Sequence, residues 1–389
     1  MKGLYLGDHI DEDVKADSSS GVAKKIFYQI KTFKDSGMEM DYFDLGGWYR
    51  SQDSLIRKIE RRLPFALFRP NKNIVQKIAS YDFLYVRRSG VTKNLFLVMN
   101  AAKKQNPKIR ILLEIPTYPF SDESERTLGS LSMAVCNKVY TTKMTKCVDR
   151  IITFSDDDVI WNIPTIKISN AIDFDSAKRK IVKKNLTNKT IEIMVCAQFT
   201  FWHGYDRAIK GFLDYLSQPD GKKYKIILHI VGNDQDGELQ KYKDFVNSNH
   251  AIFASAKDAG CVVFHGLQSG ADLENIYDQC VIGLDSMGRH RSKVYFNSSL
   301  KGKEYLAKGL VVVSGVATEL DRDKNFKYYF RVPADDSNID FNQIISFLEK
   351  LLQDETLEEI QLNTMQYAKE HFDYSVSMKT IIQYLKDFA

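Results

Sequence analysis

Between residues 281 and 315 the chain reads VIGLDSMGRHRSKVYFNSSLKGKEYLAKGLVVVSG. Two short apolar runs, 281–284 and 310–313, suit buried strands and are too short for helices. Residues 300–308 have helical spacing between them, with Leu300, Tyr305 and Leu306 able to share one side. Asn297, Ser298 and Ser299 offer N-cap chemistry, and Gly309 stands where a left-handed C-terminal cap falls. Two buried strands joined by one helix predict a parallel pair with a right-handed crossover. In such sheets ligands bind beyond the carboxyl ends of the strands. The loop at that end carries Arg289, His290, Arg291 and Lys293. It adjoins a helix N-terminus, whose N–H groups and dipole favour an anion. Lys301 and Lys303 put cations in the first turn, where the dipole prefers acids, and that broken local rule points to a site. Glu304, one turn on, can accept hydrogen bonds from vicinal hydroxyls. Phosphate plus diol is nucleotide chemistry, so Arg289, Arg291, Ser298, Ser299, Leu300, Lys301 and Glu304 are candidate ligands. The plainer alternatives are a solvated Lys301 and a surface Glu304 paired with Lys301 or Lys308.

The rest of the chain repeats the alternation. Residues 3–7 read as a strand, 22–33 as a helix and 38–43 as a second strand, a βαβ opening without the G-x-G-x-x-G dinucleotide turn. Gly21, at that helix start, is either a plain connection or a phosphate or sugar contact. Strands follow at 81–86, 109–114, 148–154 and 165–169, with a helix near 93–105. The segment EIPTYPF brings Glu114, Thr117 and Tyr118 to a strand end on the ligand side, or forms a turn shaped by Pro116 and Pro119. His9 follows the first strand, as a ligand contact or an idle loop residue. Residues 173–190 are lysine-rich, lack an apolar pattern and read as a linker. A second series begins at 191–197 and continues through a helix at 204–216, a strand at 225–231 ending in Gly232, a helix at 239–246, a strand at 262–264 and a helix at 273–279. Helices at 339–352 and 371–389 close the chain. The pattern predicts an α/β protein of two doubly wound parallel-sheet domains.

The chain's 389 residues suffice for two such domains. No apolar run reaches a membrane-spanning length, and the N-terminus turns acidic at once, so a cytoplasmic protein is expected. The net charge of +5 is mild, and no zinc spacing, recognition helix or RNA motif is present, so nucleic acid is not an expected partner. Residues 51–79 interleave Arg57, Lys58, Arg61, Arg62, Arg69 and Lys72 with Leu63, Phe65, Leu67 and Phe68. That pattern fits peripheral contact with an anionic membrane, or a solvated face over a core. Cys136, Cys147, Cys196, Cys261 and Cys280 form no metal-like spacing. Asp156, Asp157 and Asp158 read as acids at a helix start rather than a metal motif, and no metal is expected.

Taken together, these motifs resemble the retaining GT-B glycosyltransferases of family 4, of the bacterial cell-surface polysaccharide type. CAQFTFWHGYDRAIKGF resembles the strand, loop and Lys-Gly-x-Asp pattern, with His203, Gly204 and Asp206 in the Lys, Gly and Asp places. VGNDQDGELQKY resembles the next glycine turn at Gly232. FHGLQSGADLENIYDQC resembles the following segment through Gly266, Leu273 and Tyr277. SLKGKEYLAKGLVVVSG resembles the Glu-Ala-x-Ala-x-Gly-x-Pro-Val-Val signature through Glu304 and Gly309. FSDDDVIWNIPTIKISNAID resembles the end of the first domain through Ser155, Asn170 and Asp173. The departures are specific. Phe296 stands where the family has its first Glu, Leu310 where it has Pro, and no Arg occurs near Ala197 and Gln198. His203, Arg207, Arg289, Arg291 and Lys301 are the candidates to replace that arginine's charge.

The resemblance implies a GT-B fold, two Rossmann-like domains facing a cleft. The acceptor domain would be 1–172 with 373–389, the linker 173–190 and the nucleotide-sugar domain 191–372. It implies metal-independent, retaining transfer of a hexose or N-acetylhexosamine from a UDP- or GDP-sugar to a saccharide or lipid-linked acceptor, with no cofactor beyond that donor substrate. His203, Lys301 and Glu304 would be catalytic. Gly21, Arg207, Gly232, Arg289, Arg291, Ser298, Ser299 and Leu300 would join Lys301 and Glu304 at the donor, and His9, Glu114, Thr117 and Tyr118 would line the acceptor. The missing Glu and Arg leave two alternatives open: a non-catalytic GT-B partner of another transferase, or a nucleotide-sugar epimerase of that fold.

Overall fold

A computed structural model describes residues 1–16, 18, 20–47, 69–88, 92–119, 138–174, 189–218 and 223–388. The chain forms two compact units. Unit 1 is Met1–Ser169 with Tyr374–Ala389, and unit 2 is Asn170–Asp373.

Unit 1 is built on β1 (Lys2–Gly7), β2 (Glu39–Asp44), β3 (Phe83–Arg87), β4 (Arg110–Ile115), β5 (Arg150–Thr153), β6 (Val159–Ile160) and β7 (Ile163–Lys167). Its sheet order is β2-β1-β3-β4-β5-β7-β6, parallel except for the β6–β7 hairpin. Helices α1 (Gly21–Asp35), α2 (Lys72–Ala79) and α3 (Lys93–Gln105) connect the first strands. Helix α1 forms because Ala23, Ile26, Ile30 and Phe33 recur at helical spacing and bury one face. The Ser20 hydroxyl caps its start by accepting from the Ala23 N–H at 3.3 Å, and Gly37, at φ +84°, ends it. Leu4, Tyr5 and Leu6 of β1 are all buried, as a sheet covered on both faces requires.

Unit 2 carries β8 (Thr190–Cys196), β9 (Lys225–Val231), β10 (Gly260–Gly266), β11 (Ile282–Leu284), β12 (Val311–Ser314) and β13 (Tyr329–Arg331), ordered β10-β9-β8-β11-β12-β13 and wholly parallel. Its helices are α4 (Tyr205–Ser217), α5 (Glu238–Ser248), α6 (His250–Ser255), α7 (Gly270–Gln279), α8 (Leu300–Ala307), α9 (Phe341–Asp354) and α10 (Leu357–Phe372). Two short helices, α11 (Tyr374–Ser377) and α12 (Lys379–Lys386), return to unit 1, where Tyr374 stacks on Tyr28.

Strand order decides where a ligand can sit. In unit 2 the chain runs outward from β8 through β9 to β10, then returns to β11 on the other side of β8. In unit 1 the corresponding reversal lies between β1 and β3. Beyond the carboxyl ends of such strand pairs the connections diverge and leave a crevice, the usual ligand position in open parallel sheets.

Several sequence expectations are corrected. Residues 371–389 are not one helix. Asp373 is extended after α10, because Ile172 donates its N–H to the Phe372 carbonyl at 2.8 Å and pairs with Asp373 as a short parallel bridge. Asp156–Asp158 do not start a helix but lead into the β6–β7 hairpin. Trp161 and Asn162 turn that hairpin at φ +53° and +62°, and Lys167 pairs with Asp156 at 3.4 Å and Asp158 at 2.8 Å. Strands β6 and β13 and helix α6 are too short to show a period in sequence. Of the basic stretch, α2 is described and capped by Asn71. Arg57, Lys58, Arg61, Arg62 and the apolar residues among them lie outside the described residues, as does most of the proposed linker. Among the described residues no helix is long and apolar enough to cross a membrane.

Candidate active site

The crevice of unit 2 is made by the loops that follow β8 and β11. After β8 the chain turns through Phe201–His203 and reverses at Gly204, φ +65°. The His203 carbonyl accepts the N–H groups of Met287 (2.7 Å) and Gly288 (3.1 Å) from the loop after β11. A side chain at Gly204 would place its Cβ 2.5 Å from the Gly288 nitrogen, so glycine is what lets the two loops join. Gly232 plays a similar part at the next strand end. Its φ is +134°, and a Cβ there would lie 1.7 Å from the Ala197 carbonyl oxygen. Its predicted role as a nucleotide contact is thus accompanied by a plain packing requirement.

His203 is the centre of the site. It is buried and stacked on Tyr205, with Nδ1 2.9 Å from the Thr200 hydroxyl and Nε2 3.1 Å from Lys301 Nζ. Burial, then the charges of Lys301 and Arg289, hold its pKa well below the usual histidine value. The imidazole is therefore neutral at neutral pH. An ammonium can only donate, so Nε2 is the acceptor for Lys301, and the proton sits on Nδ1 and points to Thr200. Burial also lowers the Lys301 pKa, and Asp285 opposes that shift.

Asp285 escaped the sequence reading. It follows β11, is buried, and accepts the Ser299 hydroxyl at 2.6 Å. The available signal was an acid placed directly after a buried strand, in VIGLD. Its carboxylate explains a departure at α8. Ser299 occupies the N-cap position but makes no cap hydrogen bond, because its hydroxyl is turned to Asp285. Ser298 is likewise engaged, donating to Glu319 at 2.8 Å and accepting from the Asn170 N–H at 2.9 Å. Among the described residues the first-turn N–H groups of α8, beginning at half-buried Leu300, thus have no side-chain cap beside Lys301. Ser299→Ala is expected to lower stability by about 2 kcal/mol, the value of one hydrogen bond to a buried charge. Urea unfolding reads this directly; a change below about 0.5 kcal/mol would mean that Asp285 finds an equivalent donor.

Glu304 lies on α8 close to the end of β8. After burial, its charge is the leading cause that lifts the Cys196 thiol to about 12, and it also raises the Tyr277 hydroxyl. The structure thus gathers His203, Lys301, Glu304, Arg289, Ser298, Ser299 and Leu300 around one crevice. Arg289 is buried in the 3-10 turn Arg289–Ser292.

Other candidates are engaged elsewhere. Arg207 is buried and clamps two loops, donating to the carbonyl of Met287 after β11 and to those of Ser337 (2.7 Å) and Pro333 (3.0 Å) after β13. It is corrected from diphosphate ligand to structural clamp, because those carbonyls occupy its guanidinium. Arg291 holds both oxygens of Asp206, at 2.8 and 3.1 Å, and Asp336 at 2.7 Å. Lys303 points into the core, paired with Glu319 at 2.7 Å and 4.5 Å from the Phe372 ring centroid, so its charge does not serve the crevice.

The remaining candidates lie in unit 1. Gly21 is exposed at the first position of α1 with open space around it. His9 is half-buried, and its carbonyl accepts the Tyr42 hydroxyl at 2.7 Å. Thr117 and Tyr118 are half-buried after β4, with the Tyr118 ring edge-on to Trp161. Glu114 is corrected outright as an acceptor ligand, since none of its surface is exposed. Its carboxylate accepts from Tyr85 at 2.5 Å, Gln29 at 2.7 Å and Arg87 at 2.8 Å, with Lys25 at 3.2 Å. Burial alone would raise its pKa, but Lys25, Arg87 and the two neutral donors outweigh that and bring it to about 2.

No protein-family model matches the chain, and no curated protein matches it in sequence. Solved structures do match. The Anabaena protein HepE, crystallised with UDP, superposes over 100% of both chains with a TM-score of 0.60 at 16% identity. A glycosyltransferase of Rickettsia africae covers 100% of this chain and 98% of its own at a TM-score of 0.59 and 14% identity. The sucrose-phosphate synthase of Thermosynechococcus elongatus covers 100% of both at 0.59 and 11% identity. At these identities the likeness is one of fold: two parallel-sheet domains built in this way are the GT-B fold.

Proposed function

We propose that this chain is a glycosyltransferase. It moves a hexose or N-acetylhexosamine from a UDP- or GDP-sugar to a saccharide or lipid-linked acceptor in cell-surface polysaccharide synthesis. The observation that carries the reading is the Thr200–His203–Lys301 chain at the β8/β11 crevice, beside Glu304 and the uncapped start of α8. Departure of a nucleoside diphosphate develops negative charge, which preorganised cations and N–H donors stabilise. Lys301, Arg289 and the α8 N–H groups supply them here, so the transfer needs no further cofactor. Glu304 accepts the ribose hydroxyls. Neutral His203 holds the Lys301 ammonium in place through Nε2 and adds no second positive charge beside the sugar. The transfer proceeds with retention, unit 2 taking the donor and unit 1 the acceptor. HepE has also been solved with UDP-glucose, which supports this class of donor. A lipid-linked acceptor would bring the basic 51–79 stretch to an anionic membrane surface.

Calorimetry with UDP and GDP, followed by a donor-hydrolysis assay, tests the proposal. One nucleotide is expected to bind, and Glu304→Gln to weaken it at least tenfold, since a carboxylate accepts hydroxyl hydrogen bonds more strongly than an amide. Absence of binding by either nucleotide would sink the transferase reading. Binding with hydrolysis-free epimer formation would favour the epimerase.

A further inference from the structure

The strand order of unit 1 reverses between β1 and β3, and the carboxyl ends of such a pair are the usual ligand position in an open parallel sheet; the last residue of β3 is Arg87. Arg87 reaches Glu114 through Nε alone, at 2.8 Å. Among the described residues its two terminal guanidinium nitrogens make no hydrogen bond. Glu114 cannot turn to satisfy them, because Tyr85, Gln29 and Lys25 hold its two oxygens from other sides. The next residue, Arg88, is paired with Asp8, just after β1, at 2.5 Å. The side chain of Arg87 is 14% exposed, enough to present one edge of a fixed, planar fork. A guanidinium anchored at Nε, with both terminal nitrogens directed elsewhere, matches a carboxylate or phosphate in the two-point geometry such groups prefer.

We infer that Arg87 anchors a second binding site, in unit 1, for an oxyanion on the sugar acceptor: the carboxylate of a uronic acid or a phosphate ester. This deepens the transferase reading and rests on it only in calling the ligand an acceptor. Glu114 and Lys25 are then positioning groups, which fix Arg87 at that strand end without touching the ligand.

The test is calorimetric titration of the full chain with glucuronate, glucose 6-phosphate and glucose, at one ionic strength set with sodium chloride, on wild type and Arg87→Gln. Saturable binding of either anion, with none of glucose, is expected, and Arg87→Gln should weaken it tenfold or more. Binding of only one anion identifies the source of the charge. UDP binding should be unchanged in the variant, which separates failure here from failure of the donor site. If Arg87→Gln does not fold, phenylglyoxal labelling of the wild type replaces it: the anion that binds should slow Arg87 modification at least threefold. No anion binding, equal affinity in the variant, glucose binding as well as the anions do, or an unprotected Arg87 would each overturn the inference.

Discussion

Lys301→Ala is expected to cut kcat/KM for sugar transfer by about 10²–10³-fold, the usual cost of removing one preorganised charge stabiliser. The fold should survive, because Lys301 is half-buried at the crevice and among the described residues has no ion pair like that of Lys303 with Glu319. The pH profile gives a second reading. Burial lowers the Lys301 pKa from its ordinary 10.5, so the required ammonium is lost at a lower pH than for a free lysine. Activity should fall on the alkaline side below the ordinary lysine range. Lys301→Arg stays charged throughout and should abolish that limb, even at reduced activity. His203 supplies no acid limb near its ordinary 6.5, because its pKa is held well below that value. Steady-state kinetics with the donor found by calorimetry decide the matter. A loss under tenfold, or the same alkaline limb in the arginine variant, would remove Lys301 from charge stabilisation.

The crevice was legible in the sequence to the extent that local rules determine it. Parallel topology followed from the short apolar runs around one helix, and Gly309 ends α8 at φ +75° as a left-handed cap requires. Lys301 and Lys303 looked equivalent as charges, yet residues two apart on a helix do not share a face. That spacing already separates a crevice lysine from a core one, and only the partner, Glu319, needed the structure. Asp285 could not be assigned without knowing that Ser299 and Lys301 fold back against the end of β11. Arg207 was illegible for a similar reason. Its partners are backbone carbonyls at 287, 333 and 337, which carry no sequence signal. Glu114 misled most. A carboxylate at a strand end looks like a ligand residue, and nothing local shows that Lys25, Gln29, Tyr85 and Arg87 converge on it.

That convergence makes Glu114 the residue on which unit 1 depends most. Glu114→Ala leaves Lys25 and Arg87 facing each other in the interior without their shared counter-charge, and should cost about 3–5 kcal/mol. The effect must depend on pH. Glu114 titrates at about 2 in the folded chain against an ordinary 4.5, a difference of about 2.5 units or about 3 kcal/mol. Because the folded pKa is the lower one, this stabilisation is fully present above the ordinary value and is lost as pH falls toward 2. Lys25 acts at the other end. Burial brings its pKa to about 8 from 10.5, so between those values the unfolded chain binds the extra proton and the Lys25 contribution to stability rises with pH. Two units need not unfold together, so the measurement should report unit 1 alone. Hydrogen exchange of β3 and β4 peptides through a urea series, at pH 7 and pH 3, does so. Wild type and Glu114→Ala should differ by several kcal/mol at pH 7 and by much less at pH 3. A constant gap would mean that the alanine acts through the volume it removes and not through the charge.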